Sequence, residues 1–123
     1  MRLPHVLLLA MLLTAPAWAA DPGLSRAAFD YNTLGDHTVI AGVANKSLAI
    51  YQLDIWCNGI NNLTLKDSTP ATLHGQMDFA ASQGMLFPFH EGLPYWVAGT
   101  GKDVVLNLSA ALQCTGTFWY KAQ

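Results

Sequence analysis

The sequence predicts an all-β fold: a single antiparallel, jelly-roll-like β-sandwich of about eight short strands, preceded by an N-terminal signal peptide. Three observations carry that expectation. Two runs near the C-terminus alternate apolar and polar residues with period two, the pattern of half-buried strands. Clusters of Gly, Pro, Asn and Ser interrupt the chain at short intervals, as turns do. Beyond residue 20 no stretch repeats its apolar positions at a convincing helical spacing.

The N-terminus is set apart from the fold. Arg2 supplies a short positive region, and residues 6–13 form an apolar run too short to span a bilayer. Ala17-Trp18-Ala19 is a small-x-small cleavage pattern, which makes Ala20 the expected mature start. The chain then divides into a signal peptide (1–19), an N-terminal arm (20–35) and a sandwich domain (36–123), enough for one small domain. Export implies a secreted or periplasmic location. No second long apolar segment follows, so no stable membrane insertion is expected after the signal is removed.

The strands follow in order. The arm contains Pro22, Gly23, Asn32 and Gly35 and has no firm period, apart from a short strand expected at 28–31. Residues 37–43 are rich in β-branched side chains and make the first clear strand. The longest runs over 48–58, with Tyr51, Leu53, Ile55 and Cys57 on one face and Leu48, Ile50, Gln52, Asp54 and Trp56 on the other. After a Gly-Asn turn, Leu63 and Leu65 alternate with Thr64 and Lys66. Pro70 closes that strand, because it cannot donate to a ladder. Residues 73–79 make another strand, interrupted by Gly75. Met85, Phe87 and Phe89 share one side of the next, where Pro88 implies an edge or a bulge. Residues 95–98 lead through a glycine-rich turn into the two alternating runs. In the first, Val104, Leu106 and Leu108 share a face. In the second, Leu112, Cys114, Gly116, Phe118 and Tyr120 do. The short Ala110-Ala111 connection between them fits a hairpin.

Composition narrows the function classes. Six Lys and Arg stand against eight Asp and Glu, a net charge of −2, with no basic patch. Binding to a phosphate backbone has no electrostatic source here, so no nucleic-acid partner is expected. Gly101-Lys102 is followed by Asp103 and a strand, so residues 99–103 are not a phosphate loop. No Gly-x-Ser-x-Gly elbow appears, Glu91 is the only glutamate, and the aspartates sit mostly at turns. No catalytic residue is assigned and no enzyme activity is expected.

His37, His74 and His90 show no metal-ligand spacing. Met77, Met85, His74 and His90 are the soft set that would suit copper. The cupredoxin pattern is absent after Cys114, so no metal or other cofactor is assigned. Cys57 and Cys114 both fall in strand patterns, and in an exported chain a disulfide between them is expected. Closing so long a loop contributes on the order of 4 kcal/mol. Trp56 and Trp119 fall on the more polar sides of their strands. With Tyr95 and Trp96 they are the candidate binding or interface residues, suited to stacking on a sugar ring or packing between subunits.

The order of these elements resembles small all-β proteins encoded in the structural gene clusters of tailed phages and prophages. The landmarks are the strand over 48–55, Leu63-Thr64-Leu65-Lys66, Leu73-His74-Gly75, the 80–89 segment ending in an apolar-Pro-Phe run, Gly99-Thr100-Gly101, the 105–110 strand and a final Gly116 to Tyr120. The resemblance covers roughly residues 38–120. It implies a jelly-roll sandwich, a virion role of the head-decoration or fibre type, and self-association as a homotrimer with capsid or tail proteins as partners. The chain departs from the family pattern in its signal, and in Gly92-Leu93-Pro94-Tyr95-Trp96 where relatives read Gly-Trp-Phe. A phage-derived module reused outside the membrane fits both. The alternative expectation is an exported envelope module that binds a cell-envelope glycan through exposed aromatics.

Overall fold

The computed structural model describes residues 23–123. The expected signal peptide and its cleavage site at Ala19 and Ala20 lie outside those residues. Nine strands form two antiparallel sheets, and no helix occurs among the described residues. They are β1 (Ser25–Tyr31), β2 (Gly35–Ile40), β3 (Leu48–Cys57), β4 (Asn61–Asp67), β5 (Thr72–Phe79), β6 (Gln83–Phe87), β7 (Trp96–Val97), β8 (Val104–Leu108) and β9 (Cys114–Ala122). Sheet A has the order β1-β9-β3-β6, with the two-residue β7 also paired to β3. Sheet B has the order β2-β8-β4-β5.

The pairing is nested. The turn after β4 is the apex, where β4 pairs with β5. Then β3 pairs with β6 and β7, β2 with β8, and β1 with β9. One long antiparallel ribbon has been rolled so that β3 also meets β9 and β4 also meets β8. That rolling makes the sandwich a jelly roll. The core lies between the sheets and includes Leu48, Ile50, Leu53, Ile55, Leu63, Leu65, Leu106, Leu108 and Phe118.

Several expectations change in detail. The β8–β9 connection is not a hairpin, because β8 belongs to sheet B and β9 to sheet A. A buried side chain holds this crossover. Asn61 donates from Nδ2 to the carbonyls of Ala110 (3.1 Å) and Leu112 (3.3 Å), and its Oδ1 accepts from Ala110 N (3.1 Å). The arm contributes a full strand: β1 begins at Ser25 and runs along β9 to Tyr31. In β3 the pairing with β9 slips between Ile50 and Gln52. The bulge changes the phase, so Leu48 and Ile50 face the core together with Leu53, Ile55 and Cys57. Tyr51 is displaced to the outer side.

β4 shows how alternation builds the molecule. Asn61, Leu63, Leu65 and Asp67 all point inward and are buried. The leucines fill the core. The polar ends anchor loops at opposite poles, Asn61 as above and Asp67 at the apex turn. Asp67 Oδ1 accepts from the amides of Thr69 (2.9 Å) and Ala71 (3.0 Å) and from the Thr69 hydroxyl, while Oδ2 accepts from Gly99 N (3.0 Å). Gly116 marks a close approach. A Cβ there would lie 2.0 Å from the Asp54 carbonyl oxygen and 2.8 Å from the Phe29 ring. Phe29 is its direct partner on β1 and covers the missing side chain.

Candidate contact surface

The two sheets present very different outer faces. On sheet B the outward positions include Asp36, Thr38, Asn62, Thr64, Lys66, Gln76, Asp78 and Asn107. They satisfy one another: Lys66 pairs with Asp36 at 2.9 Å, Asn107 donates to Asp36 (2.6 Å), and Gln76 donates to Asp78 (2.7 Å). The hydrogen bond from Asn107, with the Lys66 ammonium beside it, holds the Asp36 carboxyl below its usual range. This is a solvated face.

Sheet A differs. Its outward positions carry the apolar Ala28, Ala49, Tyr51, Trp56, Leu86, Val97 and Trp119, together with Arg26, Asp30, Gln52, Asp54, Thr115, Thr117 and Lys121. Trp56 is 42% exposed and stands opposite Gly84 on β6, which leaves the indole room beside that strand. Leu86, on the same strand, is more exposed still. Trp119 is half-buried between Gln52 of β3 and Arg26 of β1. The two tryptophans lie four residues apart along the sheet, about 13 Å at the usual strand rise. Asp54 lies between them, its Oδ1 accepting from Thr117 N (2.6 Å). Tyr51 is buried on this side beneath Phe89, ring centroids 6.4 Å apart, and its hydroxyl donates to Gln123 (3.3 Å). Phe89 therefore packs outside the core, whereas Phe118 is fully inside it and Phe87 packs against its margin.

The remaining candidate residues lie at the lateral seam where β5 approaches β6 and β7. Trp96 pairs with Ile50 and turns inward. Its ring meets Phe87 at 5.0 Å and His74 at 5.5 Å, both edge-on. Tyr95 is partly exposed, lies tilted beside Trp96 and donates from its hydroxyl to Pro88 O (2.5 Å). Trp96 thus closes the seam, and Trp56 and Trp119 are the ones on an open face. His37 has the corresponding place at the other seam, stacked on Tyr31 at 4.1 Å with Nε2 2.7 Å from Thr33 O. His90 sits in the exposed β6–β7 turn, and Met77 is buried in the core. Among the described residues no cluster of His, Cys, Asp and Glu could hold a metal ion, and no pocket opens.

Cys57 and Cys114 form a disulfide. They are direct partners on β3 and β9, with Cα atoms 4.1 Å apart, and both are fully buried. The bridge ties two strands of one sheet at the pole where the Asn61-held crossover enters. Asn61 Nδ2 lies 3.5 Å from the Cys114 sulfur. Sequence reasoning missed Asn61 and Asp67 as organising residues. The signal was present, because both fall on the inward phase of β4 set by Leu63 and Leu65.

Set against known proteins, the chain matches no family model, no curated protein and no solved structure.

Proposed function

We propose that this chain is a non-enzymatic contact protein that acts outside the cytoplasm and associates with copies of itself, as a homotrimer, through the outer face of sheet A. The observation that carries this reading is the contrast between the two outer faces. Sheet B turns a hydrogen-bonded polar surface to water, while sheet A turns out Trp56, Leu86, Val97 and the partly covered Trp119. A sheet with apolar side chains on both faces is stable when both are covered. Aromatic side chains are enriched where subunits meet. The resemblance to head-decoration and fibre-type virion proteins supports the same reading and makes capsid or tail proteins the partners of the assembled form.

The test is the mass of the mature protein by size-exclusion chromatography with light scattering. A trimer is expected, and Trp119→Asp is expected to shift it to monomer. A monomer at every concentration overturns the reading.

One observation favours a second reading. Trp56 and Trp119 share a face with Gln52, Asp54 and Arg26, which places two stacking surfaces beside hydrogen-bonding groups. A monomer that binds soluble peptidoglycan fragments, and loses them on Trp56→Ala, would be an envelope glycan binder.

A further inference from the structure

The last strand on one side of sheet A is β6. A terminal strand leaves a row of backbone N–H and C=O groups open to pairing, and proteins guard such rows with charges, bulges or irregular pairing. Of the four strands at the ends of the two sheets, three are guarded. β1 carries Arg26 and Asp30. β2 carries Asp36 and slips in register between Thr38 and Ile40. β5 carries Asp78 and pairs irregularly with β4. β6 reads Gln83-Gly84-Met85-Leu86-Phe87, holds no charge, and keeps an unbroken register with β3.

The phase of the ladder shows which groups of β6 are open. Cys57 and Cys114 have Cα atoms 4.1 Å apart, the close spacing of an antiparallel pair that exchanges no backbone hydrogen bonds. At the next position Asn58 N donates to Gln113 O, as that phase requires. Cys57, Ile55 and Leu53 therefore turn their backbone groups to the other side, toward Gln83, Met85 and Phe87. The N–H and C=O of Gly84 and Leu86 are left facing outward, with no backbone partner among the described residues.

The occupant follows from the symmetry of this strand. Gly84 and Leu86 are equally spaced about Met85. A second β6, run antiparallel with Met85 opposite Met85, sets Gly84 of each copy against Leu86 of the other. These are the residues with open groups, so each Gly84–Leu86 pair closes two N–H···O=C bonds. The side chains match in the same register. Trp56 lies beside Gly84, its Cδ1 3.6 Å from where a Cβ would stand, and Leu86 is 61% exposed. Trp56, Gly84 and Leu86 of the second copy then fall in one row across the joined sheet, and the leucine leans over the glycine toward the indole. No other terminal strand of this chain is free of charge, so a second copy meets β6 with its own β6. We propose that two copies join edge to edge through β6, about a twofold axis at Met85, making one continuous sheet A. The contact is smaller than a standard protein interface, so it forms at high concentration. It uses the edge of sheet A, whereas the trimer uses the outer face, and either reading can fail without the other.

The test is amide hydrogen exchange, read by NMR, on the mature protein carrying Trp119→Asp, which breaks the proposed trimer and leaves β6 untouched. Raising the concentration from about 10 μM to about 1 mM is expected to slow exchange at Gly84 and Leu86 about tenfold or more, the change that nine-tenths association gives. The terminal strands β1, β2 and β5 are expected to exchange at unchanged rates. Gly84→Pro in the same protein removes an outward N–H and no bond to β3, and is expected to abolish the slowing at Leu86. Leu86→Lys, at an exposed site where the fold is kept, puts a charge on the edge and is expected to abolish it at Gly84. Three results overturn the proposal: no slowing at Gly84 and Leu86 with concentration, equal slowing on the other terminal strands, or slowing that persists in either folded variant.

Discussion

Asn61→Asp is the most informative single change. The substitution keeps size and shape and alters only what the side chain can donate. In the native protein the Asn61 amide gives two hydrogen bonds, to Ala110 O and Leu112 O, while its oxygen accepts from Ala110 N and the Ser109 hydroxyl. A carboxylate retains the acceptor bonds and loses both donor bonds. It also faces two carbonyl oxygens at a position only 1% exposed. An unpaired charge at a buried site costs about 3–5 kcal/mol, a figure that already contains the loss of the two donor bonds to the part-buried carbonyls. The expected loss is therefore about 3–5 kcal/mol at neutral pH, a large part of a small domain's stability. The loss also depends on pH. Burial and the two carbonyls raise the pKa of the introduced carboxyl in the folded state. The protonated form is then retained at low pH and can donate one bond, and stability falls as pH rises past the unfolded carboxyl range. Urea unfolding of both proteins at pH 4 and pH 8 measures this. A difference under about 1 kcal/mol at pH 8, or one that does not grow from pH 4 to pH 8, would refute the role given to Asn61 in the crossover.

Three further predictions follow from the same geometry. Gly116→Ala places a methyl group against the Asp54 carbonyl and the Phe29 ring, and is expected to cost about 3 kcal/mol or more in denaturant unfolding. Removing the disulfide by Cys57→Ser with Cys114→Ser releases a loop with a sequence separation of 57. It is expected to lower stability by about 4 kcal/mol, read from the shift in urea midpoint. Asp67 supplies an acid limit. Burial disfavours its charged form, yet hydrogen bonds from Thr69, Gly99 and Ala71 outweigh burial and bring its pKa from 3.8 to about 2. Because the folded value is the lower one, this contribution is complete above about pH 4 and is lost as pH falls toward 2. Asp67→Asn is expected to lower stability at pH 7 and to flatten the melting-temperature profile between pH 4 and pH 2.

The parts of the fold written as period-two alternation were legible from the residues alone. Leu63 and Leu65, Val104, Leu106 and Leu108, and Cys114 with Phe118 all face the core as their pattern requires. The cysteine pair was legible as well, because both residues lay in strand patterns. Three features were not. The bulge at Tyr51 adds a residue to one strand of a pair, and a single strand's sequence carries no record of its partner's register. The β8–β9 crossover looks like a hairpin because its length suits one. What directs it is Asn61, some fifty positions earlier in the chain. β1 was read short because Ser25, Arg26 and Ala27 have weak strand preference, and pairing along the whole of β9 overrides that preference. On the candidate surface, the outward sides of Trp56 and Trp119 followed from strand phase. Trp96 did not, because β7 is two residues long and its direction is set by pairing with Ile50. Leu112 was read onto the inward face of the last strand, yet β9 begins at Cys114 and Leu112 lies in the crossover, partly exposed, because the connection from sheet B to sheet A needs those residues.

Self-association, as proposed, covers the outer face of sheet A with neighbouring copies, and hydroxyl-radical footprinting read by mass spectrometry, applied to the mature chain across a dilution series, reports on that face residue by residue. Trp56, Leu86 and Trp119 are expected to be shielded at high concentration and to become oxidised on dilution, while Met77 in the core stays shielded throughout. Oxidation of Trp56 and Leu86 at one constant rate, from the most concentrated sample to the most dilute, would contradict it.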